Sequence, residues 1–315
     1  MIITDIFIFI SALFFVVKSS SWATKYAENL ANGFRVSKYT IGFLIVALIS
    51  ILPETIISLM ASLEGNPSFG LGVLLGSNTT DLTLIMGLLI FLNKKSLKVE
   101  SNILKSTIVY PFILLIPIIL GFDGYYSRPE GFVLILVGLF FYYFLIKKNK
   151  TVASENIEYD FDHKKNRVLN FLILLISMIV LLISSHFTLT SAINIANFFH
   201  ISPVLIALVI VGVGTTMPEF FFSLNSLRLK DNSMAIGDIL GTVLADATIV
   251  IGILASMLPF HFPVKIIYIS GMFMFLSSAI LFYFMKTGKK ISLKEAYLLI
   301  SIWFLFVLTE FLFNL

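Results

Sequence analysis

The sequence predicts an all-α integral membrane protein with ten transmembrane helices in two inverted-topology five-helix repeats. Composition is the first support: the 315-residue chain is 58% hydrophobic and 13% charged, with a mean hydropathy of +0.99. Soluble domains are about half apolar and a quarter charged. Second, the apolar residues gather into ten runs, most of them near the roughly 20 residues that a spanning helix needs. Third, one acid-bearing stretch occurs twice, at a constant offset of 165 residues.

The runs lie at 2–20, 40–62, 70–92, 106–120, 131–147, 168–194, 203–225, 234–258, 264–286 and 296–314. The first has neither a basic leader nor a small-residue cleavage site and is expected to stay as a helix. The fourth is short and carries Pro111 and Pro117. No segment alternates polar and apolar residues as a membrane strand would.

Charge orients the runs. With both termini outside, all but Arg128 and Lys265 of the 22 Lys and Arg fall on inner connections. The positive-inside rule thus predicts a multi-pass cell-membrane protein with both ends outside and residues 148–167 as a cytoplasmic linker. Five runs precede that linker (residues 1–147) and five follow it (168–315). Since five is odd, the halves enter the bilayer in opposite senses, a plan common among secondary transporters. The linker acids Glu155, Glu158, Asp160 and Asp162 leave a calcium-sensing role open, although no EF-hand spacing is present. Cysteine is absent, which excludes disulfides and thiolate metal sites. The net charge of +4 is spread over connections, so the expected surroundings are lipid and small cations, with no nucleic acid and no obligatory protein partner.

The duplicated stretch, residues 47–87 and 212–252, pairs Pro53 with Pro218, Glu54 with Glu219, Gly72 with Gly237, Gly76 with Gly241 and Asp81 with Asp246. A carboxylate in a bilayer is costly and calls for a function. Each proline removes a backbone donor and kinks its helix. Gly212 and Gly214 loosen the same turn in the second copy, where Thr215 and Thr216 add hydroxyls. Freed carbonyls, hydroxyls and carboxylates make an all-oxygen set that suits a hard cation. Ser77 and Asp81 are four residues apart, as are Thr242 and Asp246, so each pair shares a helix face. The glycines permit close helix approach. The two halves are expected to bring Glu54, Asp81, Glu219 and Asp246 to one centre. No intramembrane Lys or Arg neutralises them, and Lys18 near a helix end can snorkel. Bound cations or protons must balance the charge.

Other readings stay open for single residues. One intramembrane acid alone would often be structural, and the prolines and glycines alone would mean kinks and packing. Ser58, Ser223, Asn78 and Thr79 are as suited to backbone bonding as to ion binding. Asp238 continues the stripe of Thr242 and Asp246, but its counterpart is Val73. It either lines an access path or sits near the helix end. His163, His186, His200 and His261 lack metal-ligand spacing and read as solvated or interfacial.

These residues resemble the calcium/cation antiporter superfamily, and most closely its prokaryotic sodium/calcium exchanger family. Gly214-Thr-Thr-Met-Pro-Glu219 and Gly241-Thr-Val-Leu-Ala-Asp246 carry the likeness. The resemblance implies that Glu54 and Glu219 ligate Ca²⁺, with backbone carbonyls near Ser50 and Thr215. It implies that Ser77, Thr242 and Thr216 contribute to Na⁺ sites, that Ala47 and Gly212 offer carbonyls, and that Asp81 and Asp246 complete the centre. No cofactor is implied beyond the transported ions, Ca²⁺ and Na⁺, or H⁺ or K⁺ in place of Na⁺. The first copy departs from the pattern at Ile49, where the family has Gly, and at Ile51, where it has a hydroxyl residue. Asp81 stands where many prokaryotic relatives have Asn. The coupling ion is therefore left open.

The expected function is a secondary antiporter, not an enzyme, that exports Ca²⁺ against a monovalent cation by alternating access. The first helix of each half is the expected mover, again by resemblance. A channel or sensor that kept the fold, or exchange of another divalent ion, are the alternatives. An intramembrane aspartyl protease is disfavoured: Tyr159-Asp160 lies in the linker, and Gly237-Asp238 follows Ala235 rather than completing a Gly-x-Gly-Asp motif.

Overall fold

The two longest helices, α1 (Ile2–Ala31) and α8 (Arg167–Phe199), contain neither proline nor glycine and run unbroken. The computed structural model describes residues 2–31, 47–93, 96–99, 109–149, 167–228 and 232–314. Lys18, expected near a helix end, instead lies mid-helix on the exposed side of α1, at the close of its apolar stretch Ile2–Ser19. Most of the 148–167 linker, the start of the 40–62 run, His163 and many of the basic residues used for orientation fall outside the described residues.

After α1 come α2 (Ala47–Ser50), α3 (Leu52–Leu63), α4 (Pro67–Thr80), a π-turn (Asp81–Ile85) and α5 (Met86–Asn93). Strand β1 (Leu97–Lys98), α6 (Tyr110–Leu120), a 3₁₀ turn, β2 (Tyr125–Tyr126) and α7 (Arg128–Asn149) follow. Beyond α8 lie α9 (Pro203–Ile206), a π-turn (Ala207–Val211), α10 (Gly212–Thr215) and α11 (Met217–Arg228). Next are α12 (Asn232–Ala245), a π-turn (Asp246–Val250), α13 (Ile251–Met257) and β3 (Phe260–His261). The chain ends with a π-turn (Ile267–Gly271), α14 (Met272–Gly288), β4 (Lys290–Ile291) and α15 (Leu293–Asn314).

Among the described residues, eight helical segments are long and apolar enough to cross a membrane, and Leu52–Leu63 and Tyr110–Asp123 are shorter apolar helices. Together they account for all ten runs of the sequence. Burial sorts them. The segments Pro67–Asn93 and Asn232–Met257 are 89% and 83% buried, while those of α1 and α15 are each 22% buried. The two helices that carry Asp81 and Asp246 are thus the core, and α1 and α8 pack on each other outside it.

Local chemistry repeats with the same offset. Ser127 and Glu130 form a capping box at the start of α7, with Ser127 N donating to Glu130 Oε2 at 2.8 Å. Ser292 and Glu295 do the same at α15, at 2.6 Å. Both follow the S-x-x-E pattern that satisfies orphan helix donors. Two short antiparallel ribbons tie the halves at opposite ends: Leu97 pairs with Ile291, and Tyr125 pairs with His261.

Lipid is as apolar as leucine, so area burial does not drive helices together in a bilayer, and small residues that permit close approach do. A Cβ on Gly76 would meet the Leu208 carbonyl oxygen at 2.1 Å, and one on Gly212 would meet Ser77 N at 2.9 Å. The first-half helix α4 and the second-half π-turn and α10 therefore interlock backbone to backbone.

Candidate cation centre

The second helix of each half is broken at the same place. Between α2 and α3, Ile51 has φ −68° and ψ −2°. Between α10 and α11, Thr216 has φ −78° and ψ −1°. The cause is in the sequence: Pro53 and Pro218 withhold the donors that the carbonyls four residues earlier would use. Each glutamate is then the third residue of a new helix, near an N-terminus that favours negative charge. Glu54 and Glu219 are fully buried, and none of their carboxylate oxygens has a hydrogen-bond partner.

The core helices place the aspartates differently. Asp81 and Asp246 each open a π-turn, a widening often found at functional sites. In both copies the third residue of the π-turn is a threonine whose hydroxyl bonds back one turn. Thr83 Oγ1 donates to the Thr79 carbonyl at 2.5 Å, and Thr248 Oγ1 donates to the Leu244 carbonyl at 2.6 Å. Asp81 and Asp246 are also fully buried with all carboxylate oxygens unpartnered.

All eleven residues singled out from the sequence are buried here: Ala47, Ser50, Glu54, Ser77, Asp81, Gly212, Thr215, Thr216, Glu219, Thr242 and Asp246. Their neighbours come crosswise from the opposite half. Thr215 stands against Glu54, and Ser77 stands against Asp246 rather than against Asp81 of its own helix. The interlock at Gly76 and Gly212 is what brings Ser77 to the far side. The four acids lie near enough to act on one another's charge: Glu54 on Asp81, Glu219 and Asp246, and Asp81 on Glu219 and Asp246.

The hydroxyls are turned so that their lone pairs are spare. Ser77 donates to the Leu74 carbonyl at 3.1 Å, Thr215 to Gly212 at 3.2 Å and Thr216 to Val213 at 2.9 Å. Thr242 Oγ1 and Asn78 Oδ1 are buried without a partner. The Ala47 carbonyl accepts from Ile51 N at 3.1 Å, and the Gly212 carbonyl accepts from Thr216 N at 3.3 Å as well as from Thr215. Both carbonyls are thus engaged in their own helices. Among the described residues, no three His, Asp or Glu side chains meet closely enough to hold a single ion. The acids surround a centre instead of converging on a point, which suits several cation positions filled out by neutral oxygens.

Ser58 and Ser223 bond the backbone, to Gly70 and Ala235. Thr79 bonds the Leu75 carbonyl, and the Asn78 amide reaches Met274 sulfur at 3.5 Å. His186 Nδ1 lies 2.7 Å from Glu64 Oε1, and His261 packs on Tyr125 at a tilt. Asp160 lies outside the described residues.

Asp238 is neither at a helix end nor exposed: it is fully buried within α12 and tied to the centre. Sequence reasoning also passed over Thr83 and Thr248, although their offset of 165 was a usable signal. Glu310, buried in α15 and bonded by Ser270 at 2.5 Å, had no such signal because its counterpart position is Leu145.

A profile of the sodium/calcium exchanger protein family matches residues 4–147 and 169–312. The inner membrane protein YrbG of Escherichia coli (strain K12) is 27% identical over 260 residues, covering 79% of each chain. The sodium/calcium exchanger MaX1 of Methanosarcina acetivorans is 23% identical over 354 residues, covering 99% of each. Among solved structures, the sodium-calcium exchanger NCX_Mj soaked with 2.5 mM Na⁺ and 0.1 mM Sr²⁺ is similar in fold, with a TM-score of 0.71 at 24% identity over 98% of this chain and 99% of that one.

Proposed function

This chain belongs to the sodium/calcium exchanger protein family, and we propose that it is an alternating-access antiporter exporting Ca²⁺ in exchange for a monovalent cation, Na⁺ in the first instance. One observation carries the reading. Eight carboxylate oxygens of Glu54, Asp81, Glu219 and Asp246 lie buried and unpartnered, and no cationic side chain pairs with them among the described residues. Such a set is tolerable only with mobile positive charge in it.

In this proposal Glu54 and Glu219 ligate Ca²⁺, with backbone oxygens at the breaks near Ser50 and Thr215. Ser77, Thr242 and Thr216 lend hydroxyl oxygens to Na⁺ positions, and Asp81 and Asp246 complete the charge. Ala47 and Gly212 contribute carbonyls. For Gly212 this requires Thr215 to turn its hydroxyl away. The two five-helix halves, 1–147 and 168–315, then act as the inverted units, with both termini outside the cell membrane and the 148–167 linker inside.

Coupling follows from charge. Either a divalent ion or a set of monovalent ions neutralises the centre and lets α1 and α8 slide across it. The empty centre, with its acids bare, resists occlusion because desolvated like charges repel. The packing of α1 and α8 on each other outside the core, touching the break where Gly214 meets Leu13, supports these helices as the movers. The hydroxyl missing at Ile51 and the acid gained at Asp81 make H⁺ and K⁺ the competing coupling ions.

The test is Ca²⁺ flux in proteoliposomes under imposed Na⁺, K⁺ and proton gradients. Acceleration by one gradient, with equal counter-movement of that ion, is the expected result. Ca²⁺ movement indifferent to all three would refute coupled exchange, and conduction without a counter-ion would show a channel.

A further inference from the structure

His186 and Glu64 join the two parts that the proposed function sets in relative motion. Glu64 ends α3 on a fixed turn. Its N–H bonds the Met60 carbonyl at 2.9 Å, Gly65 takes φ +80°, and Asn66 N closes on the Ala61 carbonyl at 2.7 Å before core helix α4 begins at Pro67. His186 lies on α8, outside the core, and its Nδ1 stands 2.7 Å from Glu64 Oε1. Farther along α8, Asn194 Nδ2 donates to Asp5 Oδ1 of α1 at 3.2 Å. A restraint on α8 is therefore also a restraint on α1.

The mirror of this contact is neutral. The offset of 165 takes Glu64 to Leu229 and His186 to Ser21, whose hydroxyl bonds the Val17 carbonyl of its own helix at 2.8 Å. With the halves inverted, as proposed, the two contacts lie toward opposite faces of the membrane. A bond formed at one and not at the other weights the two conformations unequally. Histidine is the side chain whose charge changes between about pH 5 and pH 8. His186 and Glu64 are 48% and 30% exposed, so protons from solvent reach the pair directly. A neutral imidazole offers the carboxylate an ordinary hydrogen bond, and a protonated one adds charge to it. The other ionisable groups on elements packed against His186 are few. On α3 there is Glu54 near the start, and α9 has none. On α1, Asp5 is held by Asn194, and Lys18 and Lys25 lie exposed on later turns. On α8 itself Arg167 opens the helix, and His200 follows its end.

We propose that His186 and Glu64 form a one-sided, proton-sensitive latch that holds the α1–α8 pair against the turn between α3 and α4, on the outer side in the proposed orientation. Acid tightens the latch and favours the conformation described here, and a rise in pH loosens it. This rests on the sliding of α1 and α8 in the proposed function. The latch belongs to this chain's own asymmetry, since neither ionisable residue recurs at its mirror position.

The experiment is a distance measurement between two spin labels on the full chain in lipid nanodiscs. The chain has no cysteine, so Ile183→Cys on α8 and Leu308→Cys on α15, both 55% exposed, label alone. The distance distribution is recorded at fixed saturating Ca²⁺ from about pH 5 to pH 8, with the latch intact and in His186→Gln and Glu64→Gln. Neither latch side chain is in the core, so both variants should fold. With the latch intact, the ratio of the described conformation to its alternative should rise about two- to fivefold from the alkaline to the acid end, the scale of an exposed ion pair. Each glutamine variant should lose that rise. His186→Arg, a cation at every pH in the range, should hold the ratio near its acid value throughout. Protonation of the buried acids would act alike with or without the latch, so an equal pH response in the intact protein and both glutamine variants would overturn the proposal. A single distance, unmoved when Na⁺ replaces Ca²⁺, would instead defeat the sliding of α8 in the proposed function, which keeps the two failures distinct.

Discussion

Gly76 lies beneath Leu208 so closely that a methyl group on its α-carbon would sit 2.1 Å from the Leu208 carbonyl oxygen. Nothing there can yield by rotating, because the obstructing atoms are backbone. Gly72 is one turn away, and a methyl group there would meet Ala207 Cβ and Val204 Cγ1 at 3.2 Å and the Val204 carbonyl oxygen at an ordinary 3.4 Å. Gly76→Ala should therefore destabilise the protein by about 3 kcal/mol or more, and Gly72→Ala by about 1 kcal/mol. Thermal unfolding in detergent checks the order. Equal midpoints for the two variants would mean that the halves are not interlocked at this crossing.

The glutamates should behave as ion ligands and not as structural acids. Their oxygens hold no close hydrogen bond to the protein, so replacing the charge while keeping the shape leaves the surrounding packing as it is. Glu54→Gln and Glu219→Gln should each keep or raise the melting temperature in the absence of ions, since buried uncompensated charge is costly. Each should also weaken Ca²⁺ binding by at least about tenfold, the scale of a lost charged interaction. Loss of stability together with loss of binding would point to a structural role instead.

The fold was legible because bilayers impose simple rules. Ten apolar runs, a lopsided distribution of Lys and Arg and a repeat offset of 165 residues needed no tertiary information. The breaks at Ile51 and Thr216 were legible through Pro53 and Pro218, since a missing N–H is a local fact. What lay beyond the sequence was the pairing across the centre. Ser77 shares a helix face with Asp81, yet it stands against Asp246, because helix crossing and not sequence spacing decides which oxygens meet. Asp238 was equally hard to place: its tie to Ser50 links residues 188 positions apart.

Asp81 should govern the monovalent partner. It lies opposite Glu54 and Glu219 in the half where Ile51 replaces a hydroxyl, so this side trades a neutral ligand for a charge. Asp81→Asn should retain Ca²⁺ binding while changing how that binding responds to Na⁺, K⁺ or pH. A competition series across the three checks it. Identical dependences in wild type and variant would show that the extra acid takes no part in coupling.

The π-turns should depend on their threonines. In each, a hydroxyl of the widened turn makes a short bond to a carbonyl of the preceding turn, Thr83 to Thr79 and Thr248 to Leu244. Valine keeps the volume and removes that bond within a dry core, at a cost of about 0.5–1.5 kcal/mol. The relieved alternative is a regular α-helical turn, which would rotate Asp81 or Asp246 away from the centre. Thr83→Val and Thr248→Val should thus lower both the melting temperature and Ca²⁺ affinity, although neither hydroxyl is proposed as a ligand. Thr79→Val is the contrast: its hydroxyl bonds the Leu75 carbonyl within regular α-helix, where that carbonyl also has a backbone donor. Its loss should cost under about 1 kcal/mol and leave Ca²⁺ affinity unchanged. Unfolding and binding measured on all three variants would separate them, and a Thr79→Val variant as impaired as the other two would remove the π-turns from the account of how the aspartates are aimed.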